Sequence, residues 1–149
     1  MAVEIACTGS GKKVSLRRFK RWAETILKLL NQEGVELSVA LVDDKAIQEL
    51  NARYRNKDIP TDFLSFPSGE RLPTGTKLLG DVVISIEQAE MQAKKRGKSL
   101  DEEMESLLIH GILHLLGYDH ERSRAEAKTM RKMERKIHRA LCERQDLGV

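Results

Sequence analysis

Apolar residues follow two rhythms along this chain, one of period two and one near 3.6, and the switches between them mark out its elements. Val3 to Cys7 reads as a short strand, with Thr8 to Gly11 as the loop after it. Ser15 has the side chain to cap a helix running to about Asn31, in which Leu16, Phe19, Ala23, Ile26 and Leu30 recur at helical spacing beside Trp22. Gly34 closes that helix. Val35, Leu37, Val39 and Leu41 then alternate with Glu36, Ser38 and Ala40, as a strand should. A strand, a helix and a strand in succession imply a right-handed parallel crossover.

Asp43 or Asp44 caps a second helix whose buried side is marked by Ile47, Leu50 and Tyr54 and which must end before Pro60. Thr61 to Phe66 forms a third strand, and Pro67 to Thr76, with Gly69, Pro73 and Gly75, is a loop long enough for binding or movement. Leu78 to Ile86 is the fourth and most apolar strand, interrupted at Gly80 and Asp81. Glu87 to Arg96 is a short helix whose closing Lys94, Lys95 and Arg96 complement its dipole. Ser99-Leu-Asp-Glu102 is a capping box for the next helix, with Met104, Leu107, Leu108 and Leu115 turned inward. Ser123-x-x-Glu126 opens a last helix to about Arg144, with Met130, Met133, Ile137 and Leu141 as its apolar stripe; His138 on it has no ligand-spaced partner. The expected fold is α+β: a single layered domain over residues 1–149, a small mixed four-stranded β-sheet packed with about five helices.

Composition narrows the picture. The chain has 149 residues, 40% hydrophobic and 33% charged, enough to bury a core under a charged surface. No apolar run approaches the roughly 18 residues of a membrane span, and the N-terminal residues lack the pattern of a signal peptide. A cytoplasmic protein with no membrane partner is expected. Cys7 and Cys142 lie near opposite ends and are expected to stay reduced. A formal charge of +3 permits an anionic partner without requiring one. Lys12, Lys13, Arg17, Arg18, Lys20 and Arg21 gather around the start of the first helix, though a solvated helix face is the better explanation of such a cluster taken alone.

The chemistry concentrates in His110-Gly-Ile-Leu-His114-Leu-Leu-Gly117-Tyr-Asp-His120, which holds three of the four histidines. On a helix, His110 and His114 share one face about 5–6 Å apart at Cβ. Gly117 falls where a left-handed residue reverses the chain, so His120 can return to the same ion. Three neutral imidazoles suit zinc with a fourth position free for water or substrate. The spacing is that of the metzincin proteases, but Gly111 stands where they carry the glutamate that serves as general base. The ligand set is kept while the base is missing. Upstream, Arg55, Asp58 and Asp62 cluster around a turn, where Arg55 is suited either to a phosphate or to a structural ion pair.

Three motifs carry a resemblance: N-x-x-Y-R-x-x-D-x-P-T-D-x-L-S-F-P from Asn51 to Pro67, L-G-D-V-x-I-S from Leu79 to Ser85, and H-G-x-L-H-L-x-G-Y-D-H from His110 to His120. Together they resemble the YbeY family, known as metal-dependent, single-strand-specific endoribonucleases and rRNA maturation factors. The resemblance implies one zinc ion on His110, His114 and His120, an essential role for Arg55, and action in 16S 3′-end maturation and ribosome quality control. It also implies as partners single-stranded RNA, rRNA and the small ribosomal subunit, with contacts to ribosomal proteins and an Era-type GTPase. Asp62 or Asp81 could orient a ligand histidine. Two rivals stand beside this reading: a metal-dependent peptidase or esterase, and a non-catalytic ribosome-assembly factor that uses zinc to hold its shape. With one Trp, two Tyr and three Phe, the sequence displays no aromatic platform of the kind that stacks single-stranded bases.

Overall fold

In the computed structural model, which describes residues 3–8, 14–32, 34–118 and 123–146, four strands make one mixed sheet. The strands are β1 (Val3–Cys7), β2 (Val35–Val42), β3 (Phe63–Pro67) and β4 (Lys77–Ser85), ordered β1-β2-β4-β3. The first three in that order run parallel, and β3 pairs antiparallel with β4 as an edge. Five helices connect and cover them: α1 (Leu16–Leu29), α2 (Asp44–Arg55), α3 (Ile86–Arg96), α4 (Leu100–Leu115) and α5 (Arg124–Asp146). The α+β layering and mixed sheet match the sequence expectation. The interruption expected in the fourth strand is a bulge: Glu36 faces Leu78 but Leu37 faces Gly80, so β4 carries one extra residue and continues. Ile86 opens α3 instead of closing the strand, because the Ser85 hydroxyl accepts from Gln88 N at 3.2 Å and caps the helix.

The two faces of the sheet are unequal. Even-numbered β4 residues Val82 and Ile84 enter the main core with residues of α1, α4 and α5, while Val83 turns to the other face and packs with Ile47 of α2 and with Leu64. α4 lies at the centre: Met104, Leu108, Ile109, Ile112 and Leu113 are fully buried, and each contributes about 1.5–3 kcal/mol through burial. A helix so apolar on nearly every side must be enclosed. Its start is set by the Ser99 and Glu102 capping box. The Ser99 backbone N–H, and then its hydroxyl, hold the Glu102 carboxyl below its ordinary range. At α2 the cap is Asp43, which accepts from Ala46 N at 2.9 Å. Asp44 instead accepts from Ser85 Oγ at 2.7 Å and ties the starts of α2 and α3 together.

Two apolar residues leave the stripes predicted for them. Leu16 is 40% exposed because it sits in the first turn of α1, ahead of the core-facing Phe19. Tyr54, expected on the buried side of α2, is 61% exposed. It lies in the last turn of the helix, beside the edge strand, where Phe66 touches it edge-on with ring centroids 5.4 Å apart.

The seam between α4 and α5 is partly polar. His138 Nδ1 lies 2.9 Å from Glu105 Oε1, and its Nε2 lies 3.3 Å from Ser106 Oγ. His138 therefore joins the two helices beside the apolar contacts of Met130, Ile137 and Leu141. A second polar contact crosses from α3 to α4: Arg96 Nη1 meets Glu103 Oε2 at 3.0 Å, and the Glu103 side chain is fully buried. Its other oxygen makes no hydrogen bond among the described residues. Arg96→Ala is expected to leave that carboxylate buried without a cation, costing about 3 kcal/mol and lowering the melting temperature by roughly 5–10 °C. Thermal unfolding followed by circular dichroism checks this, and adding Glu103→Leu should recover most of the loss.

Candidate functional site

The C-terminal half of α4 supplies the first two predicted ligands. His110 and His114 are both partly exposed on an otherwise buried helix, and both rings meet Phe63 of β3. The His110 ring stacks on Phe63 at an 8° interplanar angle with centroids 6.3 Å apart, and the His114 ring tilts by 51° at 5.7 Å. One aromatic side chain thus places both imidazoles on one side of the helix. The helix then ends as its glycine predicts: Gly117, at φ 94°, donates to His114 O at 3.0 Å, and Tyr118 N donates to Leu113 O at 3.0 Å. This pair of reversed hydrogen bonds is a Schellman ending, which turns the chain sharply back after the second histidine. His120, the third predicted ligand, lies outside the described residues.

Gly111 has a steric cause. A Cβ on it would lie 2.6 Å from Val82 Cγ1, in a place that holds only a hydrogen. α4 therefore sits against β4 too closely for any side chain at this position, and the Ser65 hydroxyl donates to Gly111 O at 3.1 Å from the neighbouring strand. A protease-type glutamate is excluded here by packing, whatever the chemistry.

His114 opens into a cleft of about 350 Å³ lined also by Arg55, Thr61, Asp62, Phe63, Ser65 and Pro67. Strand alternation explains the lining: Phe63, Ser65 and Pro67 pair with Ile84, Val82 and Gly80 and face α4, whereas Leu64 and Phe66 face α2. Arg55 ends α2 beside this edge. The chain reverses there through Asn56 in the left-handed region, and the turn is tied back by Asn51 Nδ2 to Ile59 O at 2.9 Å and by Gln48 Nε2 to Asp58 Oδ1 at 3.1 Å. Arg55 is exposed and forms no ion pair among the described residues, so the structural pairing that the sequence left open is absent there. Its guanidinium is available to an anion in the cleft.

The carboxylates are placed differently from one another. Asp62 stands in the cleft wall, where Oδ1 accepts from Phe63 N at 2.9 Å and Thr61 Oγ1 at 3.3 Å, and Oδ2 accepts from Gln92 Nε2 at 3.3 Å. These bonds fix the start of β3. Asp81 is exposed and shares the face of Val83, while its neighbour Val82 meets α4, so it points to the side of the sheet away from the two histidines. A carboxylate that does reach a candidate ligand is Glu134 of α5, whose Oε1 lies 2.9 Å from His110 Nε2. Sequence reasoning missed it. The available signal was its position four residues after Met130 and three before Ile137, an acid set within an apolar stripe.

Two imidazoles one turn apart and turned toward the same aromatic wall fit a borderline-soft cation by donor chemistry. Among the described residues no three His, Cys, Asp or Glu side chains form a group able to hold a metal ion.

The chain is similar to known proteins over most of its length. The family model described as Endoribonuclease YbeY matches residues 4–142. A protein of that name from Aquifex aeolicus is 53% identical over 123 residues, covering 83% of this chain and 81% of that one. Another, from a Sulfurihydrogenibium species, is 47% identical over 126 residues, covering 85% and 83%. Among solved structures, a Thermotoga maritima protein determined in solution matches with a TM-score of 0.70 at 31% identity, over 98% of this chain and 93% of that one.

Proposed function

Because the chain belongs to the YbeY family of endoribonucleases, we propose that it is a zinc-dependent enzyme that cuts single-stranded RNA in the cleft between Arg55 and His114. The observation that carries this reading is the pairing, in one 350 Å³ cleft, of a guanidinium without an ion-pair partner among the described residues and an imidazole at helical ligand spacing from a second. His110, His114 and His120 would hold the zinc. When bound, zinc supplies a Lewis acid and lowers the pKa of its water to about 7.

The chain's own residues do the rest. Arg55 takes two phosphate oxygens through parallel N–H donors and steadies the charge that grows on them during cleavage. The Glu134 carboxylate stands 2.9 Å from His110 Nε2 and, with Phe63 stacked on the ring's face, confines that ring. Asp62, held by three donors, keeps Phe63 and the cleft wall in register. None of these groups needs a glutamate at position 111. A net charge of +3, with Arg17, Lys20 and Arg21 exposed on α1, favours approach of a polyanion. The substrate in the cell is rRNA of the small ribosomal subunit, the work being 16S 3′-end maturation and ribosome quality control in the cytoplasm. Ribosomal proteins and an Era-type GTPase are its proposed protein contacts. Among the described residues no helix is long and apolar enough to cross a membrane.

Metal removal tests the reading. Cleavage of an unstructured rRNA fragment is expected to fall to background after dialysis against a chelator and to return with added zinc, while a fully paired duplex stays intact throughout. Undiminished cleavage by metal-free protein would rule out the zinc mechanism. RNA binding without any cleavage would favour an assembly factor.

A further inference from the structure

We propose that Tyr54 is a stacking platform for a base of the single-stranded substrate, set one residue before the guanidinium that takes the phosphate. The proposal rests on the RNA-cleaving reading above and extends it to how a single strand is recognised. Tyr54 is 61% exposed, although its place in the apolar pattern of α2 predicts burial. Its hydroxyl makes no hydrogen bond among the described residues, so the ring is not held outward by a polar anchor. What holds it is Phe66, whose ring meets it at 64° and 5.4 Å. An aromatic ring braced at one side and open to solvent at another is the surface on which an unpaired base stacks.

Position makes the open ring useful. Arg55, the next residue, lines the cleft with Pro67, and Pro67 follows Phe66, the brace of Tyr54, on β3. Platform and phosphate site therefore share two adjacent pairs of residues across the sheet edge, which a nucleotide spans with its base on one side and its phosphate on the other. The turn after Arg55 is pinned by Asn51 and Gln48, so the two groups keep their relation. Ile59, on that turn, is 59% exposed and adds apolar surface to the turn. A duplex cannot use such a site, because its bases are already paired and stacked on both faces. The preference for single strands then follows from geometry at Tyr54.

Steady-state cleavage of a short unstructured oligoribonucleotide tests this with the zinc-loaded protein and its Tyr54→Ala, Tyr54→Leu and Tyr54→Trp variants. The Ala and Leu variants are expected to raise KM by roughly ten- to a hundredfold with a much smaller change in kcat, and the Trp variant to stay near wild type. Replacing single nucleotides of the substrate by abasic ones should find one position near the cut that costs the wild type a similar factor and costs Tyr54→Ala little more. That non-additivity is not expected of a residue that merely supports the fold. Melting temperatures within a few degrees of wild type show that the variants are folded. KM within twofold of wild type in Tyr54→Ala, or a Leu variant as good as Trp, overturns the proposal and leaves the exposed ring to a protein contact. A wild-type protein that neither binds nor cuts RNA removes the parent reading as well.

Discussion

Replacing His114 with alanine is expected to abolish both metal retention and cleavage of single-stranded RNA while leaving the fold intact. His114 is only half-buried, so truncation opens no closed cavity, and alanine is the best helix former for the vacated position. The melting temperature should move by no more than a few degrees. The functional loss is of another order. Losing even a group that orients a ligand costs metal affinity roughly 10–100-fold, and losing a ligand costs more. Removing the electrostatic stabilisation of a phosphoryl centre costs catalysis about a further hundred- to a thousandfold. Elemental analysis of the purified variant, together with gel-based cleavage of an unstructured fragment, reads both effects. A His114→Ala protein that keeps its metal and cuts at the wild-type rate would remove the histidines from the mechanism.

Gly111→Glu, the change that would complete a protease-type motif, is expected to destabilise the protein severely and to confer no peptidase activity. The new Cβ would stand 2.6 Å from Val82 Cγ1, and Val82 is fully buried with a β-branched side chain that has little rotamer freedom. Overpacking of this kind costs about 1–3 kcal/mol, and a carboxylate buried against an apolar strand adds several more. That sum approaches the whole stability of a typical domain, about 5–15 kcal/mol. Gly111→Ala isolates the steric part. It gains about 1 kcal/mol of helix propensity and still should lose net stability, and Val82→Ala in the same chain should recover part of the loss. Urea denaturation measures each step. A stable Gly111→Glu protein would show that α4 has room to move away from β4.

These two experiments separate what is legible in a short motif from what is not. The spacing of His110 and His114 and the turn at Gly117 could be read directly, because helix geometry and the left-handed preference of glycine are local properties. The glycine at 111 had to be read as a missing base, since nothing nearby in sequence points to Val82, twenty-nine positions upstream. Glu134 stands out in sequence only as an acid within the apolar stripe of α5; its partner was not legible, because His110 is on another helix and the pairing exists only once α5 docks. Of the two aspartates that could orient a ligand, strand alternation around the bulge in β4 turns Asp81 away, while Asp62 is spent on β3 and Gln92. His120 belongs to the segment outside the described residues and is carried by its motif alone.

By itself, the order of residues determined which segments are strands and helices, where most helices are capped, that the sheet would be mixed, and that His110 and His114 would share one side of α4 near its end. Those properties depend on neighbours within a few positions. Only the tertiary structure decided that β3 lies at the sheet edge, that Arg55 and His114 share a cleft across it, that Tyr54 stays in solvent, and that Gly111 marks a close contact. Each of these is a distance between residues far apart along the chain, set when the two faces of one sheet choose what to cover.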